Sequence, residues 1–521
     1  LGGPASLREA SVFWTGEDLK REGGRLIALF SKPSERSPKE GDWESFEEYA
    51  RDDAAALPAI HYAMKVQGLY RPDAHEAGSK AVRAMNTRGF MIDLPAVDRA
   101  MAALEREEEK LVDECLTRYG FKPSQTEKLR KVLGTPDVQR GTLERYTGPH
   151  EWLVNARLTT AGAARKKLGA MRRAACADGR VRGSFTYHGA QTRRLTAQLV
   201  QPQNMVRHAV DPDFFRALCS AGFPWGETIF QQVRDNIRGF IRAAPGYRFV
   251  SSDYGAIELR VLALMTGERW LLDALRAGQD VYALTAADIY GIPAEQVAKG
   301  SVQRDFGKMV ELASGYGLGG DTLKIRAEQQ GLSVSQSQAH EAIRIYRGGH
   351  PRVVLSWRNA EAAFRQLLKA PVKAELEAFG CIFWKHPEAI VVRRPSGFEQ
   401  IYWQPRVRRG FWPDGGEREE LVYTGRGPGG KMVPRTTYGG DIFQSAVQGT
   451  AADLMLDALE RAEADGWRPV LSVHDELVCE VPVSDTERTA KALSELLCQL
   501  PAWANGLPVT AEGWEGERFT K

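Results

Sequence analysis

Hydrophobic and polar positions set most of the chain in helical period and a few short stretches in strand period. RFVSSD, residues 248–253, is a short apolar run that predicts a strand, and AIELRVLALMTG behind it has helical spacing ending at Gly267. DVYALTAADIYGIP predicts a helix stopped by Gly291 and Pro293, and SVQRDFGKMVELASGYG a helix running into glycines. VLSVHDELVCEVP, 470–482, alternates, breaks at three polar residues and alternates again, which predicts a β-hairpin with His474, Asp475 and Glu476 at its turn. Toward the N-terminus, residues 31–44 read as a loop and WESFEEYARDDAAALPAIHYAM as a helix. MNTRGFMIDLPAV reads as a turn before a long charged helix, VDRAMAALEREEEKLVDECLTRY. Ser124 and Glu127 stand at capping-box spacing, and RLTTAGAARKKLGAMRRAA reads as one further helix with a basic face.

Composition narrows the classes. With 521 residues and 43% hydrophobic positions the chain can bury several cores. No apolar run approaches the roughly 20 residues of a membrane span, and no signal-peptide pattern opens the chain, so it reads as a cytosolic protein. It begins at Leu1 and is expected to be a fragment or a processed product. Six scattered cysteines without a CxxC pair argue against a disulfide framework or a zinc site. The net charge of +3 conceals a local bias: residues 156–208 hold eleven Lys or Arg against Asp178 alone. Gln201, Gln203 and Asn204 lie in the same stretch, a combination that favours a polyanionic partner such as nucleic acid.

The candidate chemistry is split along the chain. Asp253 ends the predicted strand and Asp475 tips the hairpin, over two hundred residues later. Brought together, two carboxylates repel unless cations intervene. Two Mg²⁺ ions about 4 Å apart, serving an in-line displacement, would satisfy both. On the helix between them Arg304, Lys308, Leu312 and Tyr316 recur every four residues and share a face. Arg304 to Leu312 spans roughly 12 Å, about the length of a nucleoside triphosphate.

With these motifs in hand, the chain resembles the family A DNA polymerases, the group of bacterial polymerase I and many phage replicative enzymes. DYGAIELR, RDFGKMVELASGYG and VHDE look like the family's three motifs, in order. GAQTRRLT, QPQN, SWRNAE, RRPSG, YGGDIFQSAVQGTAAD and AEGWEGERFTK support them, the last stretches looking phage-like. The resemblance implies an α+β right-hand polymerase with an antiparallel-sheet palm and helical fingers and thumb. The thumb is expected at 78–185, the palm at 186–260 and 441–521, and the fingers at 261–440. A C-terminal remnant of a 3′–5′ exonuclease domain, inactive in this chain, is expected at 1–77, from Tyr49 and Asp53 at Tyr-x-x-x-Asp spacing.

The same resemblance implies the site. Asp253, Asp475 and the Tyr254 carbonyl would hold two Mg²⁺ ions, for which Mn²⁺ can substitute, with Glu476 beside them. Arg304 and Lys308 would bind the triphosphate, Lys308 protonating pyrophosphate. Glu258 would exclude a ribose 2′-hydroxyl, and Leu312, Tyr316 and Tyr282 would complete the dNTP site. Primer–template DNA would meet Thr192, Arg194, Asn204, Arg207, Gln444, Gln448 and His474. Four positions depart from the family pattern: Leu312 for an aromatic, Tyr282 for His, Gln444 for Asn, and Arg193 for a Gly, the last expected to add a cation beside the duplex. The partners implied are primer–template DNA and dNTPs, in host cytoplasm for a phage enzyme, with no membrane. An upstream exonuclease segment or replisome proteins are open. Two rivals remain: a single-subunit RNA polymerase, against which Glu258 argues, and a silent DNA-binding protein, against which the intact acidic and basic residues argue.

Overall fold

The computed structural model describes residues 6–19, 24–31, 38–66, 75–220, 226–411, 415–427 and 431–520. At its centre is a four-stranded antiparallel sheet ordered Pro469–Val473, Glu476–Pro482, Tyr247–Tyr254, Ala511–Gly516. Tyr247–Tyr254 has a partner on each edge, so Phe249, Val250, Ser251 and Ser252 are all fully buried. The strand therefore reads as apolar on both faces rather than alternating. Its buried serines are satisfied. Ser251 donates to Glu476 at 2.8 Å, and Ser252 pairs with Ser494 of the helix Ala490–Cys498 that covers the opposite face.

One helix continues the strand, and others pack around it. Ile257–Thr266 begins just after the strand and ends at Gly267 in the left-handed region (φ 64°), as its spacing predicts. Gly439–Ala464 is buried along most of its surface and packs against Ile257–Thr266, Pro351–Lys369 and Glu76–Arg88, which accounts for its weak amphipathicity. Val302–Ser314 is capped by Ser301, whose side chain accepts from the Arg304 amide, and it packs on Val281–Tyr290. Gly307 makes that approach possible: a Cβ there would stand 2.4 Å from the Tyr282 carbonyl oxygen.

Toward the N-terminus Leu94–Tyr119 is one long helix, capped by Asp93 and closed by Gly120 (φ 72°), with Val97, Ala100, Leu104, Leu111 and Cys115 inward. Three local expectations change. The expected turn at 85–97 contains a strand, Phe90–Ile92, paired on both sides. Ser124 does not cap; Gln125 precedes the helix Thr126–Leu133, and no side chain bonds its first turn. The single basic helix expected at 157–175 is two, Glu151–Thr160 and Ala163–Ala174, because the chain leaves helical geometry at Gly162 (ψ 140°). The loop expected at 31–44 lies partly outside the described residues, and its last positions belong to the helix Glu40–Val66 that carries Tyr49 and Asp53.

The helical reading of 261–440 holds as far as Lys369. Beyond it, Glu375–Thr437 forms a six-stranded antiparallel meander whose spatial order follows the chain. The short turns between these strands supply the pairing, and RRPSG proves to be one of them. The N-terminal helix Leu7–Thr15 docks on this sheet, Phe13 and Trp14 meeting Trp403 edge-on at 5.2 and 5.1 Å.

Candidate active site

The hairpin brings the two distant acids together. Glu476 stands directly opposite Asp253 in the ladder, so Asp475, one residue earlier, reaches the end of the same strand. The Tyr254 amide donates to the Asp475 carbonyl at 3.1 Å and fixes that approach. Tyr254 is anchored in turn, its hydroxyl donating to the Leu497 carbonyl at 2.8 Å. Glu476 is not at the turn tip but is the first residue of the returning strand. It is buried, accepts from Ser251 and from Trp514 Nε1 at 3.0 Å, and lies 4.0 Å from the buried Arg238. Its contacts make it a brace beneath the aspartates.

A second group forms around Glu258. Arg194 and Gln448 both donate to its carboxylate, Gln448 at 3.2 Å. Tyr316 is buried beside them. Burial first, then the nearby Glu258 carboxylate, push its hydroxyl well above the usual tyrosine value. Trp357 Nε1 donates to the Gly315 carbonyl at 2.7 Å and Tyr438 to the Tyr316 carbonyl at 3.2 Å, which pins the end of the cationic helix.

The third group is the cationic face itself. Arg304 Nε donates to Asp280 at 2.6 Å, and the Tyr282 ring lies 5.5 Å from the Arg304 guanidinium and 5.8 Å from the Lys308 ammonium. Lys308 and Leu312 are exposed. Tyr282, where a His was the family pattern, thus offers a ring face to both cations.

The expected DNA-facing residues are distributed along one region. His474, at the hairpin tip with φ 61°, contacts the Gln203 carbonyl at 3.4 Å. Asn204 bonds Gln201, and its carbonyl accepts from Lys167 at 2.5 Å. Arg207 is exposed, Thr192 half-buried, and Gln444 sits one helical turn before Gln448. Much of the basic bias is spent internally: Arg165 pairs with Glu105 and Glu108, Arg172 with Asp98, Arg180 with Glu480 and Arg182 with Asp178. Among the described residues Arg157, Lys166, Arg173 and Arg207 make no ion pair.

Arg193 reverses its expectation. It points inward, almost fully buried, with its guanidinium on His188 at 2.6 and 3.0 Å, 3.4 Å from Asp453, and 3.3 Å above the Phe398 ring. Its φ of 67° is left-handed, which explains why glycine suits the position and why an arginine there needs an anchor. The anchor is Asp453, which also accepts from Arg394 Nε at 2.9 Å and Nη2 at 3.1 Å and from Ser396 at 2.5 Å. Sequence inspection missed Asp453, Arg394, Arg238 and Asp280. Arg394 and Asp453 lay within the quoted RRPSG and YGGDIFQSAVQGTAAD segments, and Asp280 carried a local signal, an aspartate immediately before a helical run.

Comparisons with known proteins bear on the family and the fold. The family model described as DNA polymerase family A matches residues 151–368. The DNA polymerase of Bacillus phage SP02 is 29% identical, with all of this chain covered and 84% of that protein. The thermostable DNA polymerase I of Thermus aquaticus is 30% identical over 51% of this chain but only 26% of its own length. The POL domain of Pol1 from M. smegmatis, solved with DNA primer–template and dNTP, superposes with a TM-score of 0.62 at 16% identity, covering 99% of this chain and 79% of that one, a likeness of fold.

Proposed function

We propose that the chain is a family A DNA polymerase that adds dNMP to a primer 3′-hydroxyl at Asp253 and Asp475, in phage DNA replication. The observation that carries this reading is the hairpin register. It sets Asp475 at the end of the strand that carries Asp253, its carbonyl accepting from the Tyr254 amide, beside a buried Glu476 that pairs with Asp253 in the ladder.

The donor set suits a divalent ion. Asp253, Asp475 and the Tyr254 carbonyl are hard oxygen ligands, and Mg²⁺ takes few protein carboxylates because substrate phosphates and water complete its shell. Among the described residues no group of three or more His, Cys, Asp or Glu could hold a metal ion. Divalent ions held there by Asp253, Asp475 and the Tyr254 carbonyl would supply Lewis acidity toward the primer hydroxyl and the transferring phosphoryl group. Arg304 and Lys308 bind the triphosphate oxygens, and Lys308 donates a proton to the departing pyrophosphate. Glu258, which accepts from Arg194 and Gln448 in the free protein, occupies the space of a ribose 2′-hydroxyl. Arg194, Gln448 and His474 exchange these internal contacts for minor-groove acceptors of the primer terminus, which all four base pairs share.

The thumb, palm and fingers divide at the boundaries given above, with the six-stranded meander lying within the fingers segment. Tyr49 and Asp53, one turn apart on Glu40–Val66, take no part in synthesis, and we assign no exonuclease chemistry to residues 1–77. Among the described residues no helix is long and apolar enough to cross a membrane. Extension of a labelled primer–template in Mg²⁺, with dNTPs and separately with rNTPs, tests the reading. It requires template-ordered dNMP addition and poor rNMP addition; promoter-dependent RNA synthesis without a primer would overturn it.

A further inference from the structure

The triphosphate-binding arginine has a partner that no motif identifies. Asp280 precedes the helix Val281–Tyr290, and its two carboxylate oxygens have separate duties. Oδ1 caps the helix, accepting from the Tyr282 amide at 3.1 Å and the Ala283 amide at 3.2 Å. Oδ2 accepts from Arg304 Nε at 2.6 Å. The cap fixes the carboxylate, because its position follows from the helix's first turn rather than from a free rotamer. The carboxylate then fixes the guanidinium. An arginine bound through Nε keeps its terminal nitrogens for another anion, so this pair orients the side chain without consuming its fork. The Tyr282 ring, carried by the first turn that Asp280 caps, lies 5.5 Å from the Arg304 guanidinium and 5.8 Å from the Lys308 ammonium.

We propose that Asp280 is a positioning residue for the incoming nucleotide, holding Arg304 aimed for the triphosphate through a helix cap that serves two structures at once. The proposal rests on the assignment of Arg304 to the triphosphate. The long arginine side chain carries substantial rotamer entropy, and a site that orders it before binding does not pay that cost at each turnover. Asp280 touches no substrate atom; it acts on affinity, so its loss registers in KM and leaves chemistry nearly intact.

The test uses D280N and D280S beside R304A. Serine keeps a good cap but is too short to serve both partners. Asparagine keeps the shape, yet its single oxygen cannot serve the helix amides and Arg304 together. Both variants are expected to raise KM for dNTP about three- to tenfold, with kcat within about twofold. In the reverse reaction KM for pyrophosphate rises in parallel, while duplex affinity and the unfolding midpoint of D280S stay unchanged. R304A raises both KM values further, and adding D280N to it changes nothing more. An unchanged or lowered dNTP KM in D280N and D280S, with R304A still impaired, overturns the positioning role. An unchanged KM in R304A instead overturns the assignment of Arg304 itself.

Discussion

Replacing Asp453 by Asn removes one negative charge from beneath two buried guanidinium groups. Asp453 and Arg394 are almost completely shielded from water, and Arg193 nearly so. The carboxylate accepts two bonds from Arg394 and one from Ser396, and lies 3.4 Å from Arg193. Breaking a buried pair by removing one partner costs about 3–5 kcal/mol, because the remaining charge is stranded. For large domains each kcal/mol lowers the unfolding midpoint by about 2–4 °C, so D453N should melt roughly 10 °C below the parent. Arg193 adds a left-handed backbone that depends on the same anchor. R193G should therefore relieve part of the D453N loss, and the two substitutions should be less than additive. Thermal unfolding followed by circular dichroism measures this. A midpoint for D453N within about 2 °C of the parent would refute the claim that Asp453 anchors Arg193 and Arg394, since that loss corresponds to about 1 kcal/mol or less. Arg194 follows Arg193 directly, so extension of a matched primer should slow as well, with duplex binding retained.

Glu258→Ala should reduce discrimination against rNTPs by about tenfold or more, read from the ratio of kcat/KM values for the two sugars; an unchanged ratio removes Glu258 as the sugar gate. Lys308→Ala should lower the single-turnover rate by about 10²-fold or more, the scale of a positioned proton donor, whereas a loss confined to KM would make Lys308 a binding group only. Burial, then the neighbouring Arg193, lower His75 from its usual 6.5 to about 4. The unfolded chain therefore takes up a proton that the folded one refuses. Stability is full above pH 6.5 and declines as pH falls toward 4. His75→Asn should flatten that part of the acid limb, and an unaltered slope would contradict the assignment.

Much of the candidate site was legible because its residues lie in short local runs. Asp253, Arg304 and Lys308 sit where a strand end or a helical repeat displays them, and the hairpin that carries Asp475 alternates plainly. What escaped depends on packing between remote segments. Arg193 reads as one more cation in a basic run. Only the fold reveals that it turns toward Asp453, 260 positions further on, through a backbone conformation an L-residue avoids. Glu476 reads as a turn residue, yet the ladder begins one position earlier than its polarity suggests, because Ser251 and Trp514 satisfy it in the interior. The meander from Glu375 to Thr437 was hidden by its polar outer positions and by the helical character of the segment before it.

The central claim is that Asp475 and Asp253 form one functional site. Single-nucleotide primer extension by Asp475→Asn in Mg²⁺, with duplex binding measured on the same preparation, tests it most directly. The account predicts parental duplex affinity and no extension; extension at the parental rate would contradict it.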